Sequence, residues 1–77
     1  MTTPVLRSVE SSYLKKEGYD PDQEMLYIVF KSGDKCYRYR NVTADQYDAF
    51  LGAESLGSWF IANIKKRPED HPYEVVG

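Results

Sequence analysis

Seventy-seven residues, 42% of them hydrophobic, are enough for one domain with one small core. A net charge of −2 argues against wholesale coating of a nucleic-acid backbone, and the single cysteine, Cys36, excludes an intrachain disulfide or a cysteine metal cage. The longest apolar run, Met25 to Phe30, is far short of a membrane span, and residues 1–7 lack the apolar stretch of a secretory signal, so a soluble cytoplasmic protein with no membrane partner is expected.

In chain order, residues 1–8 read as an arm, residues 9–67 as the domain and residues 68–77 as a tail with two prolines. Ser12 to Tyr19 is a candidate strand ending at the turn-forming Asp20-Pro21-Asp22. Met25 to Phe30, rich in aromatic and β-branched residues, predicts a second strand, and Lys35 to Arg40 alternates as its returning partner. Ser32-Gly33-Asp34 supplies the turn between them, with Gly33 able to adopt a positive φ.

The register of this hairpin follows from its loop. A two-residue loop at Ser32-Gly33 or Gly33-Asp34 places Leu26, Ile28 and Phe30 on one face with Tyr37 and Tyr39. Met25, Tyr27 and Val29 then share the other face with Cys36, Arg38 and Arg40. A slip of one residue would drive the arginines among the aliphatics.

Thr43 is a good N-cap and Gln46 completes a capping box, with Val42 and Tyr47 at the staple positions. Tyr47, Phe50 and Leu51 form a helical apolar stripe that Gly52 ends. A second helix opens at Ser55 or Gly57 and runs to about Lys66, turning Trp59, Phe60 and Ile64 inward with Ile61 at the margin. Lys65, Lys66 and Arg67 suit its C-terminal dipole, and Pro68 prevents continuation. The expected fold is α+β: a three-stranded antiparallel meander with two helices on one face and a short edge strand from Tyr73, Val75 and Val76.

The catalytic inventory is thin. His71, the only histidine, lies in the proline-flanked tail and is expected to be solvated; a Cys36–His71 pair would need the tail to fold back. No carboxylates sit in a spacing that forces two into one pocket, and Ser55-Leu56-Gly57-Ser58 lacks the lysine of a phosphate loop. The reading is non-enzymatic, with no cofactor and no metal.

Tyr37-Arg38-Tyr39-Arg40 is the most informative stretch, because rings stack on bases and guanidinium forks hold phosphate. Strand alternation divides it, assigning Tyr37 and Tyr39 mainly to the core and Arg38 and Arg40 to the opposite face. Tyr27 and Val29 on that second face must be covered or form a contact surface. The candidate ligand-binding set is Arg38, Arg40, Tyr27, Tyr37 and Tyr39, with Lys65, Lys66 and Arg67 adding attraction.

The sequence resembles the KTSC family, small domains named for the C-terminus of some lysyl-tRNA synthetases and found also as stand-alone bacterial and phage proteins. The resemblance runs from Val9 through Ser11-Ser12, Leu14, Gly18-Tyr19-Asp20, Leu26, Ile28, Phe30 and Gly33 to a central tyrosine-any-tyrosine motif at Tyr37-Arg38-Tyr39. It continues through Val42, Tyr47, Ala53, Ser55, Gly57 and the aromatic pair Trp59-Phe60 to Asn63-Ile64. Glu17 stands where the family usually carries an aliphatic residue, which implies a more exposed strand end. The resemblance implies a compact α+β domain with a role in RNA binding and no catalytic residues. The expected function is therefore RNA or nucleotide binding by a basic and aromatic sheet face. The alternative is a protein-interaction module or a phage-type inhibitor that sequesters a small nucleotide. A homodimer or larger homo-oligomer is a further expected partner arrangement.

Overall fold

The computed structural model of the protein describes residues 4–33 and 35–76; Asp34 of the expected turn lies outside them, as do the ends of the arm and tail. The described chain forms five antiparallel strands in sequential order: β1 Arg7–Ser8, β2 Leu14–Asp20, β3 Met25–Phe30, β4 Cys36–Tyr39 and β5 Tyr73–Val75. Two helices follow β4: α1, Ala44–Leu51, and α2, Leu56–Phe60, which widens into a π-helical segment at Ile61–Lys65. The α+β antiparallel architecture is as expected, with five strands where three and an edge strand were anticipated. The additional strand comes from the N-terminal arm, where Arg7 and Ser8 pair with Glu17 and Lys16.

The β3–β4 register sets Leu26 opposite Tyr39, Tyr27 opposite Arg38 and Ile28 opposite Tyr37. This is the pairing that a loop centred on Ser32-Gly33 produces. Gly33 itself has no positive φ; the non-glycine residues Glu24 and Asn41 hold left-handed conformations at 54° and 60°. The turn closes instead through the Gly33 amide, which donates to the Phe30 carbonyl at 3.3 Å.

Helix α1 begins as the sequence predicts. The Thr43 side chain accepts from the Gln46 amide while the Gln46 side chain accepts from the Thr43 amide. Gly52 ends it, but with φ −88° and not in the left-handed region. Ser55 caps α2 by accepting from the Ser58 amide. Phe50, Phe60 and Ile64 descend from the helices onto Leu14, Leu26, Ile28 and Tyr39, closing a core whose residues are at most 3% exposed.

Glu17 does not lie at an exposed strand end. It is fully buried on the helix-facing side, opposite Ile28. Its carboxylate accepts from Arg7 Nε and Nη2 at 3.0 and 2.8 Å and from the Tyr47 hydroxyl at 2.7 Å. Those partners satisfy the oxygens that burial strips of water. Burial, followed by the Glu17 hydrogen bond, pushes the Tyr47 phenol up to about 12. Tyr19 stacks on Tyr47 at 4.4 Å between centroids and donates to the Val42 carbonyl at 2.6 Å, joining β2 to the start of α1.

Two glycines behave oppositely. A Cβ at Gly57 would stand 2.9 Å from Tyr13 Cβ, an atom close to the backbone, whereas one at Gly52 would meet the Asp48 and Ala49 carbonyl oxygens at an ordinary 3.5 and 4.0 Å. Gly57→Ala should destabilise by about 1–3 kcal/mol despite its helical position. Gly52→Ala should be neutral or stabilising by roughly 0.4–1 kcal/mol. Thermal unfolding of the two variants checks this contrast, and equal shifts would contradict it.

Candidate functional site

Strand pairing carries the alternation of the hairpin across the sheet. Glu74 of β5 stands opposite Arg38 of β4, and Tyr73 stands opposite Tyr39. One cross-strand row on the face away from the helices therefore contains Gly18, Tyr27, Arg38 and Glu74. The helix-facing side receives Tyr37, Tyr39 and Tyr73.

On the outer face the expected cations are already matched. Arg38 Nε donates to Glu74 Oε1 at 2.9 Å, its Nη2 reaches the same oxygen, and Arg40 Nη2 lies 3.1 Å from it. The Tyr27 hydroxyl first and Glu74 second hold the Arg38 guanidinium above its ordinary value, while Arg38 and then Arg40 hold the Glu74 carboxyl below its own. Tyr27 and Val29 are covered, at 4% and 7% exposure. Part of the covering is the arm: Leu6 Cδ2 occupies the place of a side chain at Gly18, 2.7 Å from where its Cβ would be. Cys36 shares this face beside Val29, and burial pushes its thiol up, against the activation a nucleophile needs.

The opposite side is arranged differently. Tyr13, Phe30, Tyr37 and Tyr73 form a run of rings with successive centroids 5.1, 5.2 and 5.6 Å apart, and Tyr39 lies 5.5 Å from Tyr73. Such separations are those of favourable edge and tilted aromatic contacts. Exposure grades along the run: Tyr39 is buried, Tyr37 is half-buried and Tyr73 is 57% exposed. Burial pushes the Tyr39 phenol well up from its usual value.

These rings open into a cleft of about 450 Å³ lined by Tyr13, Phe30, Ser32, Tyr37, Tyr39, Lys65, Pro68 and Tyr73. Lys65, from the end of the π-helical segment, donates to the Tyr13 hydroxyl and stands 5.1 and 5.6 Å from the Tyr13 and Phe30 ring centroids. Its charge faces rings and a neutral phenol. Of the anticipated binding residues, then, Tyr37, Tyr39 and Lys65 converge here. Arg38 and Arg40 lie across the sheet, Tyr27 is buried on that far face, and Lys66 and Arg67 border a separate pocket with Pro68, Glu69 and Asp70.

Tyr13 and Tyr73 were not anticipated as site residues. The alternation of Tyr73, Glu74 and Val75 against Tyr39, Arg38 and Tyr37 was the available signal: Glu74 is the acid that matches Arg38. His71 also departs from expectation. It is only 4% exposed, with Nδ1 3.0 Å from the Arg40 carbonyl and Nε2 3.4 Å from Gln46 Nε2. The capping box turns the Gln46 oxygen to Thr43 and its NH2 to the histidine. His71 Nε2 therefore accepts and Nδ1 donates to Arg40, which fixes the tail where β5 begins. The tail does fold back, but it puts His71 on the helix side and at the far end of β4 from Cys36.

The chain matches the KTSC domain over residues 10–67. It belongs to the KTSC family. The KTSC domain protein of Yersinia pestis, known from a crystal structure, superposes with a TM-score of 0.86 at 31% identity, covering 97% of this chain and 100% of that one. An uncharacterized protein of Stutzerimonas stutzeri is 39% identical over 66 residues, 86% of this chain and 89% of its own length. A protein of Tsukamurella paurometabola is 36% identical over 62 residues, 80% of this chain and 91% of its own. Among the described residues no helix is long and apolar enough to cross a membrane.

The lowered Glu74 carboxyl gives the KTSC sheet a pH signature. Its contribution is fully present above the ordinary value of 4.5 and is lost as pH falls through the lowered one. Glu74→Gln should therefore unfold at a lower Tm than the wild type at about pH 7, with the difference shrinking as pH falls below 4.5. Parallel melting curves across that range are the measurement, and a pH-independent difference would refute the assignment.

Proposed function

We propose that this KTSC domain is a non-catalytic module that binds nucleotide units of single-stranded RNA in the tyrosine cleft. The observation that carries the reading is the meeting of Tyr37, Tyr73 and Lys65 around one opening with no carboxylate among its described lining residues, in a chain of net charge −2. Exposed rings give bases a stacking platform, and an ammonium not matched by a carboxylate attracts phosphate. The 450 Å³ opening suits a nucleotide-sized occupant better than a duplex. This moves the binding surface from Arg38, Arg40 and Tyr27 to the helix side of the same sheet. Cytoplasmic residence, where RNA and free nucleotides are available, accords with this role.

Few phosphate contacts imply shallow salt dependence. With one or two lysines engaged, affinity for a single-stranded oligoribonucleotide should fall only about threefold to sevenfold between roughly 50 and 200 mM salt. Tyr73→Ala and Lys65→Ala should each weaken binding, the tyrosine change by about tenfold or more. Arg40→Gln, on the other face, should leave it unchanged. Fluorescence anisotropy with labelled oligoribonucleotides, alongside circular dichroism of each variant, makes the comparison. Absence of binding by the folded wild type at low salt would overturn the proposal, and loss of binding only in Arg40→Gln would return the site to the outer face.

A second reading has its own observation. Tyr73, Val75 and Val76, all more than one-third exposed, lie together at the edge strand β5. Strand addition there by a second copy would give a homodimer. A concentration-independent monomer mass in sedimentation would remove it.

A further inference from the structure

The tyrosine cleft is half of a longer feature. A second opening of about 310 Å³, lined by Phe30, Ser32, Gly33, Lys35 and Tyr37, shares Phe30, Ser32 and Tyr37 with it. The two are continuous along one side of the β3–β4 hairpin. Lys65 stands in one half and Lys35 in the other, with the Phe30 and Tyr37 rings between them, 5.2 Å apart.

The described lining of this trough carries cations and no acid. The sequence holds 12 acidic residues, yet none appears among the described lining residues of either half. Three arginines outside the trough are matched by acids, Arg7 by Glu17 and Arg38 and Arg40 by Glu74. Lys65 faces rings and a phenol, and Lys35 is exposed with no carboxylate partner among the described residues. The trough therefore presents two ammonium groups on either side of the Phe30 and Tyr37 rings, which meet edge to face at 66°.

We infer that the trough is a subsite for a nucleotide carrying phosphate on both its 5′ and 3′ sides, with its base stacked on the half-buried Tyr37 ring and one phosphate at each of Lys35 and Lys65. This deepens the RNA-binding reading and rests on it. The chemistry is that of an internal unit of a strand, in which each base is flanked by two phosphates. A 5′-mononucleotide has only one and leaves one lysine without an anion. The Tyr37 ring is indifferent to base identity, because every base has a face to stack.

Titration calorimetry with adenosine, adenosine 5′-monophosphate and adenosine 3′,5′-bisphosphate tests this directly, with a single-stranded oligoribonucleotide measured in parallel. The bisphosphate is expected to bind the wild type at least about tenfold more tightly than the monophosphate. Lys35→Ala, at an exposed position, should bring the bisphosphate down to the affinity of the monophosphate while circular dichroism shows the fold retained. Equal wild-type affinities for the two, or a bisphosphate preference that survives in Lys35→Ala, would overturn the inference and leave the wider reading standing if the oligoribonucleotide binds. Failure of the oligoribonucleotide, adenosine and both adenosine nucleotides to bind would remove both.

Discussion

The pairing of β3 with β4 is the constraint on which the rest of the molecule depends. Side chains alternate across a strand with period two, so setting Leu26 against Tyr39 and Tyr27 against Arg38 decides the side of every residue in the hairpin. The core beneath the helices is filled by Phe50, Phe60 and Ile64, all fully buried, and has no room for a guanidinium. The register is therefore specified from both faces at once. It also governs the next strand: Glu74 meets Arg38 because Arg38 points outward, and this pairing leaves Tyr73 beside Tyr39 above the cleft.

A domain of this size has little core to spare, and polar tethers hold its margins. Glu17 is the clearest case. A carboxylate buried without partners would be costly, but Arg7 and Tyr47 reach it from β1 and α1 and make it the junction of strand, arm and helix. His71 serves the other edge in a comparable way, between the Arg40 carbonyl and the amide of the α1 capping box. The two edge strands are short, two and three residues, which limits the unpaired backbone offered to other chains. Leu6, just before β1, and Glu74 of β5 also lie over the outer face.

The separation of the faces bears on the proposed site. On the outer face Arg38 and Arg40 are matched by Glu74 as part of holding the sheet together. Among the described residues no carboxylate lines the openings that Lys35 and Lys65 border, into which Tyr37 and Tyr73 project. Aromatic and cationic groups that stand next to each other in the chain thus lie on opposite sides of the sheet, and the groups that meet at the cleft come from the residue before β2, from β3, β4 and β5, and from the end of the second helix.

By itself the sequence determined the strands at Met25–Phe30 and in the Tyr37-Arg38-Tyr39 segment, which of their side chains share a face, the Thr43–Gln46 cap and the inward placement of Phe50, Phe60 and Ile64, though it also placed Leu51, which is exposed, on the apolar stripe. These are consequences of local rules: side-chain periodicity, turn length and hydrogen bonds spanning three residues. It also carried the KTSC family in the order and spacing of those elements. Only the tertiary structure decided that Arg38 is matched by an acid 36 residues away, that Lys65 meets a tyrosine 52 residues away, and that Glu17 and His71 are buried. Contacts of that span depend on how the tail and arm return to the sheet, a choice made by packing and chain closure across the whole domain. The tyrosines of Tyr37-Arg38-Tyr39-Arg40 do belong to the fold, as alternation predicts; three-dimensional closure added Tyr13, Tyr73 and two lysines around them and made the same side of the sheet the candidate site.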